Sequence, residues 1–369
     1  MRFVLFSDLH LDTAFTWAPA AAARRRRLAL REVLERILSL ADEVDADAIL
    51  SGGDLYEHER ATPDTAAFLR EAFGSTSRPV LLAPGNHAWH GPDSLYHHVA
   101  WPSNVSIFTE SRLRPHALAE GMTIWGSAHR APANTDGFLD GGFRVDRAGV
   151  NLALFHGSER SGLTLEASGK QPHAPFDADQ IVAAGLDHAF LGHHHRPVAA
   201  AHHTYPGNPD PLAFGEDGQR GAVIATVAGD GSVDRRWRTV AVTETSDITI
   251  DVTGCVSQHD LRVRVRDALE GRRGAARVTL VGDLAPDVDV QPETDLSVTA
   301  LALEGLDALA VRIGSLSVAY DTEGIATEAT VRGQFVRDVL ASDLDDDERR
   351  RVLVTGLRAL EGRDDLEVA

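Results

Sequence analysis

The apolar residues of this chain fall in short, nearly continuous runs. Arg2 to Phe6, Ala48 to Ser51, Pro79 to Ala83, Ile124 to Gly126, Asn151 to Phe155 and Ala189 to Leu191 each read as a strand buried on both faces. Segments of helical spacing lie between them. Leu30, Val33, Leu34, Ile37, Leu38 and Ala41 predict a helix over 26–44. Thr62-Pro63 marks the N-cap and first position of a helix to about Phe73, and Asp177 to Ala184 forms a short one. From Ala199 to Val240 the pattern turns all-β, with turns at Pro206-Gly207, Asp217-Gly218 and Asp230-Gly231. Short buried strands alternating with helices predict a sheet-centred α/β domain, its sheet covered on both faces by helices or a second sheet.

Near Glu244 the pattern changes. Strands at Ile248–Val252, Arg277–Val281 and around Leu309–Ile313, with a helix near His259–Glu270, predict a small α+β domain. Helices at Phe335–Leu340 and Asp346–Leu360 follow, around a turn at Ser342-Asp343. The expected organisation is 1–243, 244–330 and a helical segment over 331–369.

Composition narrows the function. With 43% hydrophobic and 25% charged residues, the chain is neither disordered nor fibrous. It lacks the roughly 18-residue apolar run of a membrane span, and MRFVLF is too short for a secretory signal core. The expected compartment is the cytoplasm. The single cysteine, Cys255, excludes an internal disulfide and a multi-cysteine zinc site, and reads as a small core residue. A net charge of −19 excludes a protein that coats nucleic acid by general basicity. It leaves room for a site where metal ions supply the positive charge. Of 17 histidines, only His259 lies beyond His203, so the chemistry is expected in the N-terminal domain.

Five segments share one format, an apolar strand followed at once by polar residues. They are VLFSDLH with Asp8 and His10, ILSGGD with Asp54, LLAPGNH with Asn86 and His87, LALFHG with His156, and AFLGHHH with His193, His194 and His195. In open α/β sheets, functional groups gather beyond the carboxyl ends of the strands. Five adjacent strand ends would bring these residues into one pocket. Asp8 and His10, at i and i+2, would face the same way along an extended turn, as would His193 and His195, leaving His194 pointing away. The set mixes oxygen and nitrogen donors without sulfur, which suits Mn²⁺, Fe²⁺ or Zn²⁺. It is too large for one tetrahedral ion and suits two ions sharing a carboxylate. Two such ions, about 3.5–4 Å apart, can hold a hydroxide and clamp a phosphoryl group for in-line attack. Any one of these segments alone is a weak signal; all five in this order are a strong one.

This order, DxH, GGD, GNH, H and GHxH, resembles the signature of the calcineurin-like metallophosphoesterases. GGDLY, APGNH, FLGHHHRP and YPGNPDPLAFGE resemble more closely the SbcD-like DNA-repair nuclease branch, YhaO-type exonucleases included. The last segment, residues 205–216, is the most branch-specific. The resemblance is strong over about residues 1–240 and extends beyond them only in layout. It implies a metallophosphoesterase β-sandwich flanked by helices, a small α+β capping domain and a C-terminal helical tail.

By the same resemblance, one metal would take Asp8, His10 and His195, the other Asn86, His156 and His193, and Asp54 would bridge them. His87 would stabilise the transition state or protonate the leaving oxygen, a role suited to a group titrating near neutrality. His58, in GDLYEHER, is a second catalytic candidate set against a plain surface role. The family motif usually continues GNHD or GNHE, whereas here Ala88 follows His87. Arg24–Arg27 reads as a solvated helix start and Trp17 as a packed loop aromatic.

The implied function is a Mn²⁺-dependent DNA nuclease working in double-strand-break repair or end processing. It would act as a homodimer in the nucleoid with an SbcC-like SMC-type ATPase bound through the C-terminal helices. A phosphatase or cyclic-nucleotide phosphodiesterase on the same core is the alternative, and a non-catalytic scaffold the third reading.

Overall fold

The computed structural model describes residues 1–133, 136–160, 172–286, 288 and 305–362. The end of the expected helical segment, 363–369, lies outside them. The chain divides into two compact units, Met1–Glu244 and the part from Thr245 onward.

Two six-stranded sheets form the first unit. One contains β1 (Arg2–Phe6), β2 (Ala48–Ser51), β3 (Val80–Leu82) and β4 (Val105–Ile107), all parallel. The other contains β5 (Arg114–Ala119), β6 (Met122–Gly126), β7 (Val150–His156), β8 (His188–Gly192), β9 (Val198–Ala199) and β10 (His203–Tyr205). Its spatial order is β5-β6-β7-β8-β10-β9. The hairpin of β11 (Gly221–Val227) and β12 (Val233–Thr239) then returns to the first sheet, pairing antiparallel with β1.

Strand alternation decides what each side chain meets. Phe3, Leu5, Leu50 and Leu81 pack with Ile124, Leu152, Leu154 and Phe190 as the layer between the sheets. Val4, Phe6, Ile49 and Leu82, on the opposite face, pack with Leu30, Val33, Leu34 and Ile37 of α1 (Ala20–Glu43) and Phe73 of α2 (Pro63–Gly74). Phe155, Ala189 and Leu191 pack outward with Phe176 and with Ile181 of the short helix Ala178–Ala183. Burial on both faces is why these strands read as unbroken apolar runs.

Helix α1 starts six residues before the apolar spacing suggested. Its buried stripe begins at Ala22 and Ala23 and continues through Arg26, which is fully buried. Arg26 donates to Thr243 Oγ1 at 3.1 Å and to the Glu244 carbonyl at 2.7 Å, and lies 4.9 Å from the Trp17 ring. The reading of Arg24–Arg27 as a solvated helix start is therefore corrected for Arg26, while Arg24 and Arg25 are exposed. At α2, Thr62 accepts from the Thr65 amide, as its N-cap position predicts.

The second unit holds a three-stranded parallel sheet of β13 (Thr245–Asp251), β14 (Gly274–Leu284) and β15 (Leu306–Val318), with the helix Gln258–Leu269 between the first two strands. Cys255 is buried in its core. Helices Thr322–Ala326, Val331–Leu340 and Asp346–Leu360 follow. Ile325, Val336, Val339, Leu353 and Leu357 pack these helices against one another.

Candidate metal centre

The five chemistry-bearing segments leave strands of two different sheets. Asp8, Asp54 and the Asn86-His87 pair follow β1, β2 and β3, which are neighbours in one sheet. His156 ends β7, and His193 follows β8, neighbours in the other. The five strand ends expected to lie together are three in one sheet and two in the other, meeting where the sheets converge. A missing side chain permits the convergence. A Cβ on Gly192 would stand 2.3 Å from the Gly52 carbonyl oxygen, and one on Gly52 would stand 2.7 Å from the Gly192 amide nitrogen. Both approaches are closer than real Cβ contacts allow.

The ligand-bearing turns are not extended. Asp8, His10 and Asp54 have φ of 54°, 49° and 47°, and His193 has φ of 110°. These lie in the left-handed region, sparsely used by non-glycine residues and concentrated at functional sites. The expectation that strand-like alternation orients Asp8 with His10 and His193 with His195 is corrected accordingly. The chain is turned sharply at each position, and hydrogen bonds fix the result. The Asp8 amide donates to the Gly53 carbonyl at 2.9 Å, and the His10 amide to the Asp54 carbonyl at 2.9 Å.

The side chains converge at two overlapping points. Asp8, His10 and His195 offer ligand atoms within 4.8 Å of one another, and so do Asp8, Asp54 and His156. Asp54 Oδ2 lies 3.1 Å from His156 Nε2 and 3.8 Å from His10 Nε2, between the two groups. Asn86 Oδ1 and His193 Nδ1 stand 3.0 and 3.3 Å from His156 Nε2. The other oxygen of Asp54 accepts the amides of His87 at 2.8 Å and Ala88 at 3.3 Å. Ser7 Oγ donates to Asp8, and the His193 amide lies 3.2 Å from both Asp8 oxygens. His194 instead packs its ring 4.6 Å from that of Tyr205.

His87 stands at the rim with a half-exposed side chain, its ring 4.8 Å from that of His10. His58 does not join the group. It stacks on Trp89 at 3.9 Å between ring centroids, and only its backbone N–H reaches the site, donating to the His87 carbonyl at 3.0 Å.

The residue that does face the site from this loop is Glu57, which sequence reasoning missed. Its Oε1 accepts from His10 Nδ1 at 2.7 Å and its Oε2 from His87 Nδ1 at 3.1 Å. Glu216 was missed too. It accepts from His195 Nδ1 at 2.6 Å. Glu57 is next to His58 in the sequence, and Glu216 lies in the segment 205–216, which only the family resemblance marks. For His10 and His195 a carboxylate beyond the ring was the signal to seek, because the second ring nitrogen of a ligand histidine needs an acceptor; for His156 that acceptor is the Gly52 carbonyl, 2.9 Å from Nδ1.

Electrostatics follow from this packing. Burial pushes the Asp54 carboxyl up, but His156, His10 and His87 beside it hold it well below the carboxylate range. Burial likewise works against Glu57 and Glu216, yet hydrogen bonds from His10 and His87, and from His195, bring each to about 2. Glu57 raises His87 to about 9 against the opposing effect of burial. Burial lowers His156, but Asp54 outweighs it and carries the ring upward. Burial, then His156, drives His193 well below its ordinary value.

The pocket fits divalent metal. Asp8 and Asp54 are buried, and among the described residues the basic groups nearest them are the imidazoles of His10 and His156, which carry charge only when protonated. Buried carboxylates in such number call for a compensating cation. His10 Nε2 is buried with no hydrogen-bond partner among the described residues, 4.0 Å from Asp8 Oδ1 and 3.8 Å from Asp54 Oδ2. With Nδ1–H given to Glu57, this nitrogen presents its lone pair between two carboxylates, as a ligand nitrogen would.

Comparison with known proteins agrees with this chemistry. The chain is 25% identical over 370 residues to the uncharacterized metallophosphoesterase YhaO of Bacillus subtilis, spanning 94% of this chain and 88% of that protein. It is 24% identical over 346 residues to the DNA double-strand break repair protein Mre11 of Methanopyrus kandleri, spanning 85% and 70%. To the Mre11 of Haloferax volcanii it is 27% identical over 369 residues, spanning 96% and 74%. The family model for calcineurin-like phosphoesterases matches residues 1–197, a stretch that runs from before Asp8 to beyond His195. The chain therefore belongs to the calcineurin-like phosphoesterases and is a metal-dependent phosphoesterase.

Proposed function

We propose that this protein is a Mn²⁺-dependent DNA nuclease that hydrolyses phosphodiesters in break repair or end processing. The carrying observation is the likeness to two Mre11 repair proteins over 85% and 96% of this chain, well beyond the phosphoesterase core. Asp8, His10 and His195 hold one ion, Asn86, His156 and His193 the other, and Asp54 lies between them. The position of Asp54 Oδ2 between His156 and His10 supports the shared role. Mn²⁺ is the metal assigned, with Fe²⁺ or Zn²⁺ compatible with the same donors. When bound, the ions supply Lewis acidity toward the phosphoryl oxygens and the attacking water.

The chain's own residues do the rest. Asp54 enters ionised. Glu57 accepts hydrogen bonds from the Nδ1–H groups of His10 and His87 together, so the two rings are held as a pair. The rim position of His87 gives its Nε2 access to substrate. Nε2 donates its proton to the leaving oxygen, which turns that oxygen into a neutral hydroxyl. The Ala88 departure does not remove this function, because Glu57 supplies a carboxylate to His87. His58, stacked on Trp89, acts through the loop and not on the substrate.

DNA is the assigned substrate, and an SbcC-like SMC-type ATPase and a second copy of the chain are the assigned partners. The test is degradation of an end-labelled linear duplex in Mn²⁺, with His87→Ala alongside. Degradation in the wild type and a loss of about 10²–10⁴-fold in the variant support the reading. Turnover of a nitrophenyl phosphomonoester with no cleavage of DNA or of the bis-nitrophenyl diester would replace it with a phosphatase.

A further inference from the structure

We propose that Glu216 sets the tautomer of His195, which makes the segment 205–216 a working part of the metal centre. This rests on the reading of Asp8, His10 and His195 as ligands of one ion.

The segment holds His195 at both its ring and its main chain. Glu216 Oε1 lies 2.6 Å from His195 Nδ1. An ionised carboxylate only accepts, so Nδ1 carries the hydrogen and Nε2 keeps the lone pair. A histidine with Nε2 protonated has no lone pair there for a metal. At the main chain, Arg220 donates to the His195 carbonyl, and the Asn208 amide donates to the same oxygen at 3.2 Å. Arg220 also donates to Asn208 Oδ1 and, through Nε, to the Glu216 carbonyl at 3.1 Å.

The second oxygen of Glu216 is just as constrained. Oε2 accepts from Asn208 Nδ2 at 2.6 Å, the Leu212 amide at 2.7 Å and the Ala213 amide at 3.2 Å. Three donors meet one oxygen, and one imidazole meets the other. Glutamine is nearly isosteric but cannot serve both sides in the same way. Its carbonyl oxygen must face the three donors, since an NH₂ group there would meet three N–H groups. Its NH₂ then faces His195 Nδ1 and donates. The imidazole must accept at Nδ1 and carry its hydrogen at Nε2. Glu216→Gln therefore keeps the loop and inverts the ligand. Glu57 cannot stand in, because its two oxygens serve His10 and His87.

Two measurements test this. The first is long-range ¹H–¹⁵N NMR of the metal-free protein, with the His195 signals assigned from His195→Ala. With the ring brought to its neutral form by raising the pH, wild type is expected to show Nδ1–H and Glu216→Gln to show Nε2–H. The second is Mn²⁺ titration followed by calorimetry. Glu216→Gln is expected to weaken one site by about 10–100-fold, leave the other at wild-type affinity and keep the wild-type melting temperature. His195→Ala serves as the reference and should abolish the same site. A neutral wild-type His195 that carries its one hydrogen at Nε2 overturns the proposal without any variant. So does a Glu216→Gln protein with wild-type affinity at both sites while His195→Ala has lost one, and the ligand assignment then survives. If His195→Ala keeps both sites, the ligand assignment itself falls, and the proposal with it.

Discussion

At the scale of single residues, the proposed centre depends on carboxylates that touch no substrate. Glu57 joins a proposed metal ligand to the proposed acid with hydrogen bonds of 2.7 and 3.1 Å. Glu57→Gln retains one acceptor for two imidazole donors, so one ring must turn or change tautomer. We expect kcat on bis-nitrophenyl phosphate to fall by about 10–100-fold with KM nearly unchanged, read from steady-state kinetics at saturating Mn²⁺. A wild-type kcat would mean that Glu57 merely fills space. The contrast with His58 shows what was legible here. The polar residues after each strand were visible because they interrupt apolar runs. The choice between Glu57 and His58 was not, because it depends on which side chain a short turn aims inward. His58 is aimed at Trp89.

At the scale of elements, strand ends bring the chemistry together and glycines let them close. Strand positions could be read from apolar runs, and Ala48–Ser51 of β2 coincides with its predicted bounds. The apolar pattern could not tell which ends belong to which sheet, and the two-sheet sandwich came from the resemblance, since continuous apolar strands look alike whether covered by helices or by another sheet. Strands β4 and β5 were not anticipated. Their half-exposed residues leave no strong apolar run. The start of α1 was hidden by Arg26, whose charge disguises a buried position served by backbone carbonyls and Thr243.

The contact between Gly52 and Gly192 carries its own prediction. Gly192→Ala places a Cβ 2.3 Å from the Gly52 carbonyl oxygen, and backbone must move to relieve it. Overpacking of this kind costs about 1–3 kcal/mol. We expect a melting temperature lower by several degrees in calorimetry, with weaker Mn²⁺ binding, because β2 and β8 carry proposed ligands from both sheets. An unchanged melting temperature and affinity would show that the sheets need not approach so closely.

At the scale of the whole molecule, the balance of charge constrains how DNA could be held. The net charge of −19 opposes a polyanion, and Lewis acidity in one pocket cannot offset that over a long duplex. We expect fluorescence anisotropy with His87→Ala, the variant expected to cleave slowly, to give a Kd for duplex DNA no tighter than about 10⁻⁶ M at physiological salt, weakening steeply as salt rises. Much tighter, salt-insensitive binding would remove the need for a partner that holds the DNA. The C-terminal helices offer one setting for such a partner. Their apolar stripes pack on one another through Val336, Val339, Leu353 and Leu357, yet Leu340, Val352 and Leu360 remain exposed. The helix Asp346–Leu360 was legible to the residue from its apolar spacing. Which stripe faces inward was not, since that depends on the neighbouring helix.

The count of ions per chain tests the central claim most directly. Metal analysis of the intact protein after Mn²⁺ loading and removal of free ion should find about two per chain. Asp54→Asn, which changes the carboxylate placed between the two groups, should bring that count well below the wild-type value. A wild-type protein that retains almost no metal would contradict the account and leave the fold as a scaffold.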